Sequence, residues 1–401
     1  MTTPLALNAR HTLPEDGAAG TLVGRAWLPA TASAPAGPAV VTVRPDGVFD
    51  ISDAAPTMSG LLELDDPVAV VRRTPGRWIG SLDDLLAQAP ASAGHADAAH
   101  LLAPCDLQVI KAAGVTFAGS LIERVIEERT KGDPQGAAQL REQVVALVGE
   151  RLATLRPGSA EAQELKRLLI ERGMWSQYLE VGIGPDAEIF TKAPLLSSLG
   201  TGTEIGVHPG SAWNNPEPEI VLAIDSRGRA RGATLGNDVN LRDFEGRSAL
   251  LLGKAKDNNG SCAIGPFVRL FDAHFSIDDV RRATVELRVE GRDGFILNGT
   301  SSMDQITRDP LDLVAQAFGE THQYPDGAML FLGTLFAPVE DCDTAGGGFT
   351  HKAGDIVTIS SRMLGALVNR VGTSDRIAPW TFGVRALMAN LAARGLLGAA
   401  R

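Results

Sequence analysis

The sequence predicts a β-rich α+β protein with a small N-terminal β-containing domain, residues 1–104, and a larger C-terminal domain, residues 105–401. A chain of 401 residues is long enough for two or three domains of about 150 residues each. Residues 190–359 are mostly short runs of β-forming residues separated by Gly, Pro, Asn and Asp, which is typical of a roll or barrel. The 44 glycines and 23 prolines supply the turns that such a fold needs.

The N-terminal domain begins with β-branched runs over residues 21–51. Asp46-Gly47 lies between two of these runs and favours a tight hairpin. A helix is predicted over residues 81–88 with Ser81 as its N-cap, because the serine hydroxyl can accept from the first free backbone N–H groups. We place the domain boundary near Pro104.

The C-terminal domain is predicted to begin with a β-like segment, residues 115–117, that leads into a charged helix over residues 121–129. A helical hairpin follows, near residues 135–172, with arms at 135–155 and 159–172. A last helix is expected over residues 379–394, with an apolar face formed by Trp380, Val384, Leu387 and Leu391.

Charge and cysteine usage exclude several classes of protein. The net charge of −11 disfavours a general nucleic-acid or anionic-membrane binder, because such binding needs clustered Lys and Arg. Three widely spaced cysteines fit neither a disulfide framework nor a CxxC zinc site, which favours a reducing, cytoplasmic setting. The scattered histidines His208, His274, His322 and His351 lack the spacing of zinc ligands.

A Glu-Pro-Glu segment is the first candidate for chemistry. In an extended strand alternate side chains share a face, so Glu217 and Glu219 point the same way, and the neighbouring prolines favour extended backbone. Two aligned carboxylates must take up a proton, stay solvated or bind a cation, and Mg²⁺ prefers oxygen ligands of this kind. Asp238 follows a later apolar run and can supply a third oxygen.

These residues resemble the fumarylacetoacetate hydrolase superfamily, in which a Glu-x-Glu is followed by an Asn-Asp-x-x-x-Arg-Asp motif. Glu217, Glu219, Asp238, Arg242 and Asp243 match that pattern position by position. The resemblance continues through residues 253–256 and 332–334 and covers roughly residues 105–370, which implies the superfamily's β-roll in the C-terminal domain.

The resemblance implies a divalent cation, Mg²⁺ or in its place Mn²⁺, held by Glu217, Glu219 and Asp238 and contacting a 2-oxo acid. It assigns the binding of this anionic small molecule to Lys256, Gly333, Thr334 and Arg242. A homodimer or homotetramer is also what the resemblance implies.

Two departures from the superfamily's C–C hydrolases bear on the reaction. The stretch 114–124 lacks the histidine with which those hydrolases activate water. Their glutamine seven residues after the metal-binding Asp is Glu245 here, and an ionised carboxylate cannot donate a hydrogen bond to an oxyanion. The sequence is more similar to the dehydratases of 2-keto-3-deoxy-pentonates, a subgroup of pentose catabolism.

The hypothesis is therefore a hydro-lyase that converts 2-keto-3-deoxy-D-arabinonate to 2,5-dioxopentanoate. Lys256 is the candidate base at C3, provided that burial and Mg²⁺ lower its pKa. Glu123 or Glu245 would protonate the leaving hydroxyl. Two alternatives stay open: a hydrolase that releases pyruvate from a 2,4-dioxo-3-deoxy sugar acid, and a non-catalytic protein that binds a sugar acid.

Overall fold

The computed structural model describes residues 5–88, 98–131, 133, 137, 139–142, 155–171, 173, 175–334, 336, 338–342 and 348–397. Its strands, in chain order, are β1 (Leu22–Leu28), β2 (Gly37–Arg44), β3 (Gly47–Asp50), β4 (Arg77–Gly80), β5 (His100–Leu102), β6 (Val109–Gly114), β7 (Glu188–Ala193), β8 (Glu204–Val207), β9 (Asn214–Asn215), β10 (Pro218–Ile224), β11 (Ala230–Asp238), β12 (Asn240–Leu241), β13 (Cys262–Leu270), β14 (Thr284–Glu290), β15 (Ile296–Ser302), β16 (Ala328–Phe331), β17 (Ile356–Ser361) and β18 (Gly365–Thr373).

None of the helices of the described residues is long and apolar enough to cross a membrane. In chain order they are α1 (Ala9–Thr12), α2 (Met58–Glu63), α3 (Pro67–Arg73), α4 (Leu82–Ala87), α5 (Ala118–Thr130), α6 (Ala160–Glu171), α7 (Gln177–Ile183), α8 (Arg242–Glu245), α9 (Leu252–Lys256), α10 (Ile277–Arg281), α11 (Pro310–Ala317) and α12 (Val384–Ala393). The β-rich α+β class predicted from the sequence is confirmed.

The main sheet contains strands both from the N-terminal segment and from the C-terminal domain. Among the described residues it has eleven strands, in the order β4-β3-β2-β1-β13-β11-β10-β16-β6-β7, with β5 also paired to β1. β1 and β13 are antiparallel, with Leu22 opposite Arg269 and Val23 opposite Val268. The strands of the N-terminal segment therefore extend the sheet that carries the C-terminal strands.

A second sheet packs against one face of the main sheet. Its order is β15-β14-β17-β18-β8. Ile220 and Leu222 of β10 share one hydrophobic core with Leu287 of β14 and Leu367 of β18. The opposite face of β10 packs Val221 and its neighbours against α2. Because β10 is covered on both faces, its sequence after Glu219 is an uninterrupted apolar run.

Two N-terminal predictions are confirmed in detail. Arg44 pairs with Gly47 across the turn that contains Asp46, which gives the β2-β3 hairpin. Ser81 caps α4: its hydroxyl accepts from the N–H of Asp84, and the Asp84 carboxylate accepts from the N–H of Ser81. This reciprocal arrangement satisfies two donors at the helix start.

A smaller apolar cluster joins α5, α6 and α7. The second arm of the predicted helical hairpin is confirmed as α6, and the N–H of Ala162 donates to the hydroxyl of Ser159 at 3.1 Å. The first arm, residues 135–155, lies largely outside the described residues. The three helices form one packed unit beside the edge of the main sheet where β6 leads into α5.

Two element boundaries were predicted wrongly. Residues 115–117 do not continue the strand, because β6 ends at Gly114 and Val115 has a positive φ of 58°. The last helix begins at Val384 and not at residue 379. Trp380 precedes that helix and is 46% exposed, and its backbone N–H donates to the side chain of Asn259.

Candidate active site

Three acidic side chains converge where two neighbouring strands of the main sheet meet. Glu217 precedes β10, Glu219 is the second residue of β10, and Asp238 ends β11. The strands are antiparallel, and the N–H of Asp238 donates to the carbonyl of Glu217 at 3.1 Å. One oxygen of each carboxylate lies within 4.8 Å of the others, and all three residues are buried. Strand alternation thus places both glutamates on the face that carries Asp238.

The donor set fits the divalent cation that the resemblance implies. Burial raises the pKa of Glu219 well above its usual value, and the charges of Asp238 and Glu217 raise it further. The Nζ of Lys192 lies 2.7 Å from Oδ1 of Asp238 but off the direction of a hydrogen bond, so this buried oxygen has no directed donor. A hard cation prefers carboxylate oxygens and would offset their mutual repulsion.

Lys256, the last residue of α9, lies directly against these carboxylates. Its Nζ is 2.5 Å from Oε2 of Glu217 and 3.1 Å from Oδ2 of Asp238. Burial lowers the pKa of Lys256, but the charges of Asp238 and Glu217 outweigh burial and hold it above the usual value. Burial alone therefore does not produce the lowered pKa of Lys256 that was expected from the sequence. A dication on the same carboxylates would oppose their effect.

A small cavity opens beside the carboxylates. The predicted site residues that line it are Glu217, Glu219, Asp238, Glu245, Lys256, Gly333 and Thr334. The other lining residues had no role predicted from the sequence: Ala113, Gly114, Val115, Ser120, Arg124, Glu188 and Phe190.

Gly333 and Thr334 occupy the loop after β16. The N–H of Gly333 donates to Oε2 of Glu219 at 2.6 Å, so this glycine orients a metal-ligand candidate. Its φ is +93°, and a Cβ there would lie 2.0 Å from the hydroxyl of Thr116, which explains why glycine is needed. The hydroxyl of Thr334 lines the cavity and is held by the backbone of Phe336.

Arg242 and Glu123 are not where the sequence analysis placed them, since neither lines the cavity. The guanidinium of Arg242 donates to Glu123 at 2.7 Å, to Glu127 at 2.6 Å and to the carbonyl of Pro338 at 3.1 Å. Burial raises the pKa of Glu123, but hydrogen bonds and charge from Arg141 and Arg242 lower it below its usual value. An ionised, doubly paired carboxylate is a poor proton donor, and the two residues instead anchor α5.

Glu245 does line the cavity, and its environment corrects one argument from the sequence. It is buried, and Nη1 of Arg124 is 3.2 Å from its Oε2. Burial raises the pKa of Glu245 to about 7, against the opposing charges of Arg124 and Lys256. The sequence analysis treated this side chain as ionised, but near neutral pH it can hold a proton and donate a hydrogen bond.

Sequence reasoning missed Arg124 and Glu188. Arg124, on α5, places Nη2 at 2.5 Å from Oε1 of Glu217. Glu188 begins β7 and pairs with Gly114 of β6; burial raises its pKa, although Arg124 and Lys256 oppose this. The alternation of Glu188, Phe190 and Lys192 along one strand was the available signal, because residues two apart share a face.

Residues 183–372 match the family model described as fumarylacetoacetate (FAA) hydrolase C-terminal. A curated relative from Haloferax volcanii, named probable 2-keto-3-deoxyxylonate dehydratase, is 30% identical over 204 residues, 51% of this chain and 66% of the relative. The 2-dehydro-3-deoxy-D-arabinonate dehydratase of Saccharolobus solfataricus is 32% identical over 193 residues, 47% of this chain and 60% of the relative. The chain thus spans somewhat less than two thirds of the length of either relative.

A solved structure described as 2-keto-3-deoxy-D-arabinonate dehydratase complexed with magnesium and 2,5-dioxopentanoate has the same fold. It superposes with a TM-score of 0.60 over 88% of this chain and 99% of the other chain, at 18% identity. A structural match at 18% sequence identity shows a shared fold only. The match of the family model, together with the two relatives, assigns the domain: residues 183–372 form a domain of the fumarylacetoacetate hydrolase C-terminal family.

Proposed function

We propose that this protein is a Mg²⁺-dependent dehydratase that converts 2-keto-3-deoxy-D-arabinonate to 2,5-dioxopentanoate. The observation that carries the proposal is one cavity that holds three buried metal-binding carboxylates together with Lys256 and two glutamates of raised pKa, Glu188 and Glu245. The names of the two relatives support the same substrate class.

The reaction removes one water and requires several proton transfers. A proton leaves C3 and the hydroxyl leaves C4, which gives a C3–C4 double bond. Loss of a proton from C5 and return of a proton to C3 then give the enol of the terminal aldehyde, which takes up a proton at C4 as its hydroxyl proton leaves. A divalent cation held by Glu217, Glu219 and Asp238 would supply Lewis acidity toward the 2-oxo acid.

The cavity supplies separate groups for these transfers. We assign removal of the proton from C3 to Lys256, because this lysine lies beside the metal-binding carboxylates. We assign protonation of the leaving hydroxyl and removal of the proton from C5 to Glu188 and Glu245. Because their pKa values are raised, each can exchange a proton closer to neutral pH than an ordinary glutamate. Arg124 balances the negative charge between Glu217 and Glu245.

A coupled assay tests the proposal. The protein is incubated with 2-keto-3-deoxy-D-arabinonate, Mg²⁺, NAD(P)⁺ and a dehydrogenase that oxidises 2,5-dioxopentanoate to 2-oxoglutarate, with and without EDTA. NAD(P)H formation that EDTA abolishes is the expected result. No NAD(P)H, with Mg²⁺ binding demonstrated by calorimetry, would reject this activity.

One observation favours a second candidate, hydrolysis of a 2,4-dioxo-3-deoxy sugar acid. A protonated Glu245 can donate the hydrogen bond to an oxyanion that the hydrolases take from glutamine. Pyruvate released from the dioxo acid, without aldehyde from the keto-deoxy acid, would support it over the dehydratase. Binding of both acids without turnover of either would instead indicate a sugar-acid-binding protein.

A further inference from the structure

Lys192 is a completely buried lysine that the proposed reaction does not use. It lies on β7 and is 0% exposed, although a buried ammonium costs several kcal/mol unless it is paired. Its Nζ donates to the carbonyl of Val239 at 3.1 Å and to the carbonyl of Lys256 at 2.5 Å, and it is 2.7 Å from Oδ1 of Asp238. Two of the three ammonium protons are donated to the carbonyls, and the charge lies within ion-pair distance of the Asp238 carboxylate.

Two of these three oxygens belong to residues that line the cavity, Asp238 and Lys256, but Lys192 itself does not line it. Asp238 ends β11, Val239 follows it, and Lys256 ends α9. One side chain on β7 therefore connects the metal-ligand segment with the backbone of the proton-transfer lysine. Because Lys192 contacts both segments and does not reach the cavity, it can act only by holding Asp238 and the backbone of Lys256 in position.

We propose that Lys192 is a positioning residue that fixes Asp238 for metal binding and fixes the backbone from which Lys256 reaches the cavity. The part that concerns Lys256 rests on the proposed function, whereas the part that concerns Asp238 does not. A purely structural role makes a different prediction, because removal of one partner of a buried ion pair would then lower the free energy of unfolding and leave the Mg²⁺ affinity of the folded protein unchanged.

Ser261 separates the two parts of the proposal. Its hydroxyl donates to the same carbonyl of Lys256, at 2.7 Å, and its bonds reach only backbone carbonyls and the N–H of Asn258. Ser261→Ala should reduce turnover at saturating Mg²⁺ several-fold and leave the Kd for Mg²⁺ unchanged. Unchanged turnover at saturating Mg²⁺ both in this variant and in Lys192→Met would overturn the part that concerns Lys256.

The decisive experiment is calorimetric titration of Mg²⁺ into the full chain without substrate. Lys192→Met should weaken Mg²⁺ binding by about 10- to 100-fold, the usual effect of removing a residue that orients a metal ligand. Lys111→Met is the matched control, because Lys111 lies on neighbouring β6, its Nζ donates to the hydroxyl of Thr191, and it is outside the cavity lining. A wild-type Kd in a folded Lys192→Met protein would overturn the proposal.

If Lys192→Met is insoluble, Lys192→Gln replaces it, since an amide keeps donors for the two carbonyls and removes only the charge beside Asp238. Weaker Mg²⁺ binding supports the proposal, and unchanged binding refutes it. Because Mg²⁺ binding is measured without substrate, a wild type that lacks dehydratase activity would refute the proposed function without touching this result. Dehydratase activity with an unchanged Kd in the Lys192 variant would refute the positioning role alone.

Discussion

The two walls of the cavity are built by different means. On the sheet wall, Glu217, Glu219 and Asp238 take their positions from strand alternation and from the pairing of β10 with β11. On the helix wall, α5 holds Arg124 at the site through ion pairs that join it to Glu217 and, through Glu127, to Arg242. The sheet wall is therefore specified by backbone hydrogen bonds, and the helix wall by buried charges.

This difference predicts different weaknesses. Backbone pairing does not change with pH or with single side-chain substitutions, so the sheet wall should keep its geometry when its chemistry is altered. The helix wall depends on buried ion pairs, and removal of one partner leaves the other charge uncompensated. Variants on the first wall should affect metal binding and turnover, and variants on the second should affect stability.

The largest effect is expected for Glu219→Gln on the sheet wall. The variant loses a carboxylate ligand but keeps the volume of the side chain. Turnover should fall by more than about 1,000-fold, because several kcal/mol of Lewis-acid stabilisation go with the metal. Calorimetry should show that Mg²⁺ binding is lost in a protein with wild-type thermal stability. Wild-type Mg²⁺ affinity would remove Glu219 from the metal site.

Lys256→Met should affect turnover alone. We expect a loss of about 100- to 1,000-fold in kcat, within the range for one proton-transfer group, while calorimetry still detects Mg²⁺ binding. Lys254→Met serves as the control, since Lys254 lies on the same short helix but does not line the cavity. Wild-type rates for Lys256→Met would contradict the role assigned to Lys256.

Arg242→Met should break the helix wall. Glu123 and Glu127 would lose a shared buried partner, which should lower the free energy of unfolding by about 3–5 kcal/mol, measured by urea denaturation. Arg167→Met is the control, because Arg167 forms only exposed ion pairs with Glu164 and Glu171, worth about 0–1 kcal/mol. Equal losses in the two variants would contradict the difference between the walls.

The smallest effect is an acid response that begins in the helix wall. The pKa of Glu123 in the folded protein lies below its usual value of 4.5, so its stabilising effect is present above that pH and is lost as the pH falls below it. The loss should be on the order of 1 kcal/mol per pKa unit. Hydrogen exchange should accelerate in α5 before it does so in β10. Simultaneous acceleration in both elements would show that the walls are not independent.

The same contrast explains what the sequence could predict. The carboxylate site was predictable because alternation along one strand and a motif about twenty residues later involve local patterns. Arg242 was assigned to the substrate, whereas the structure pairs it with α5, because its partners lie more than one hundred residues earlier in the chain. For Glu188, alternation along β7 indicates the shared face with Phe190 and Lys192, but the pairing of β7 with β6 is what brings that face to the cavity.

Local signals also limited the prediction of the fold. The hairpin at Asp46-Gly47 and the capping box at Ser81 depend on residues close in sequence, and both are confirmed. The pairing of β1 with β13 joins segments more than two hundred residues apart, and no local pattern indicates that the N-terminal strands extend the main sheet.

We propose that the metal-binding carboxylates and the proton-transfer groups beside them together dehydrate a 2-keto-3-deoxy-pentonate. Proton NMR of 2-keto-3-deoxy-D-arabinonate in D₂O with the protein and Mg²⁺ tests it most directly. We predict 2,5-dioxopentanoate that carries deuterium at C3 and C4, formed only when Mg²⁺ is present, and no product with Glu219→Gln. Unchanged substrate in the presence of wild-type protein with Mg²⁺ bound would contradict the account.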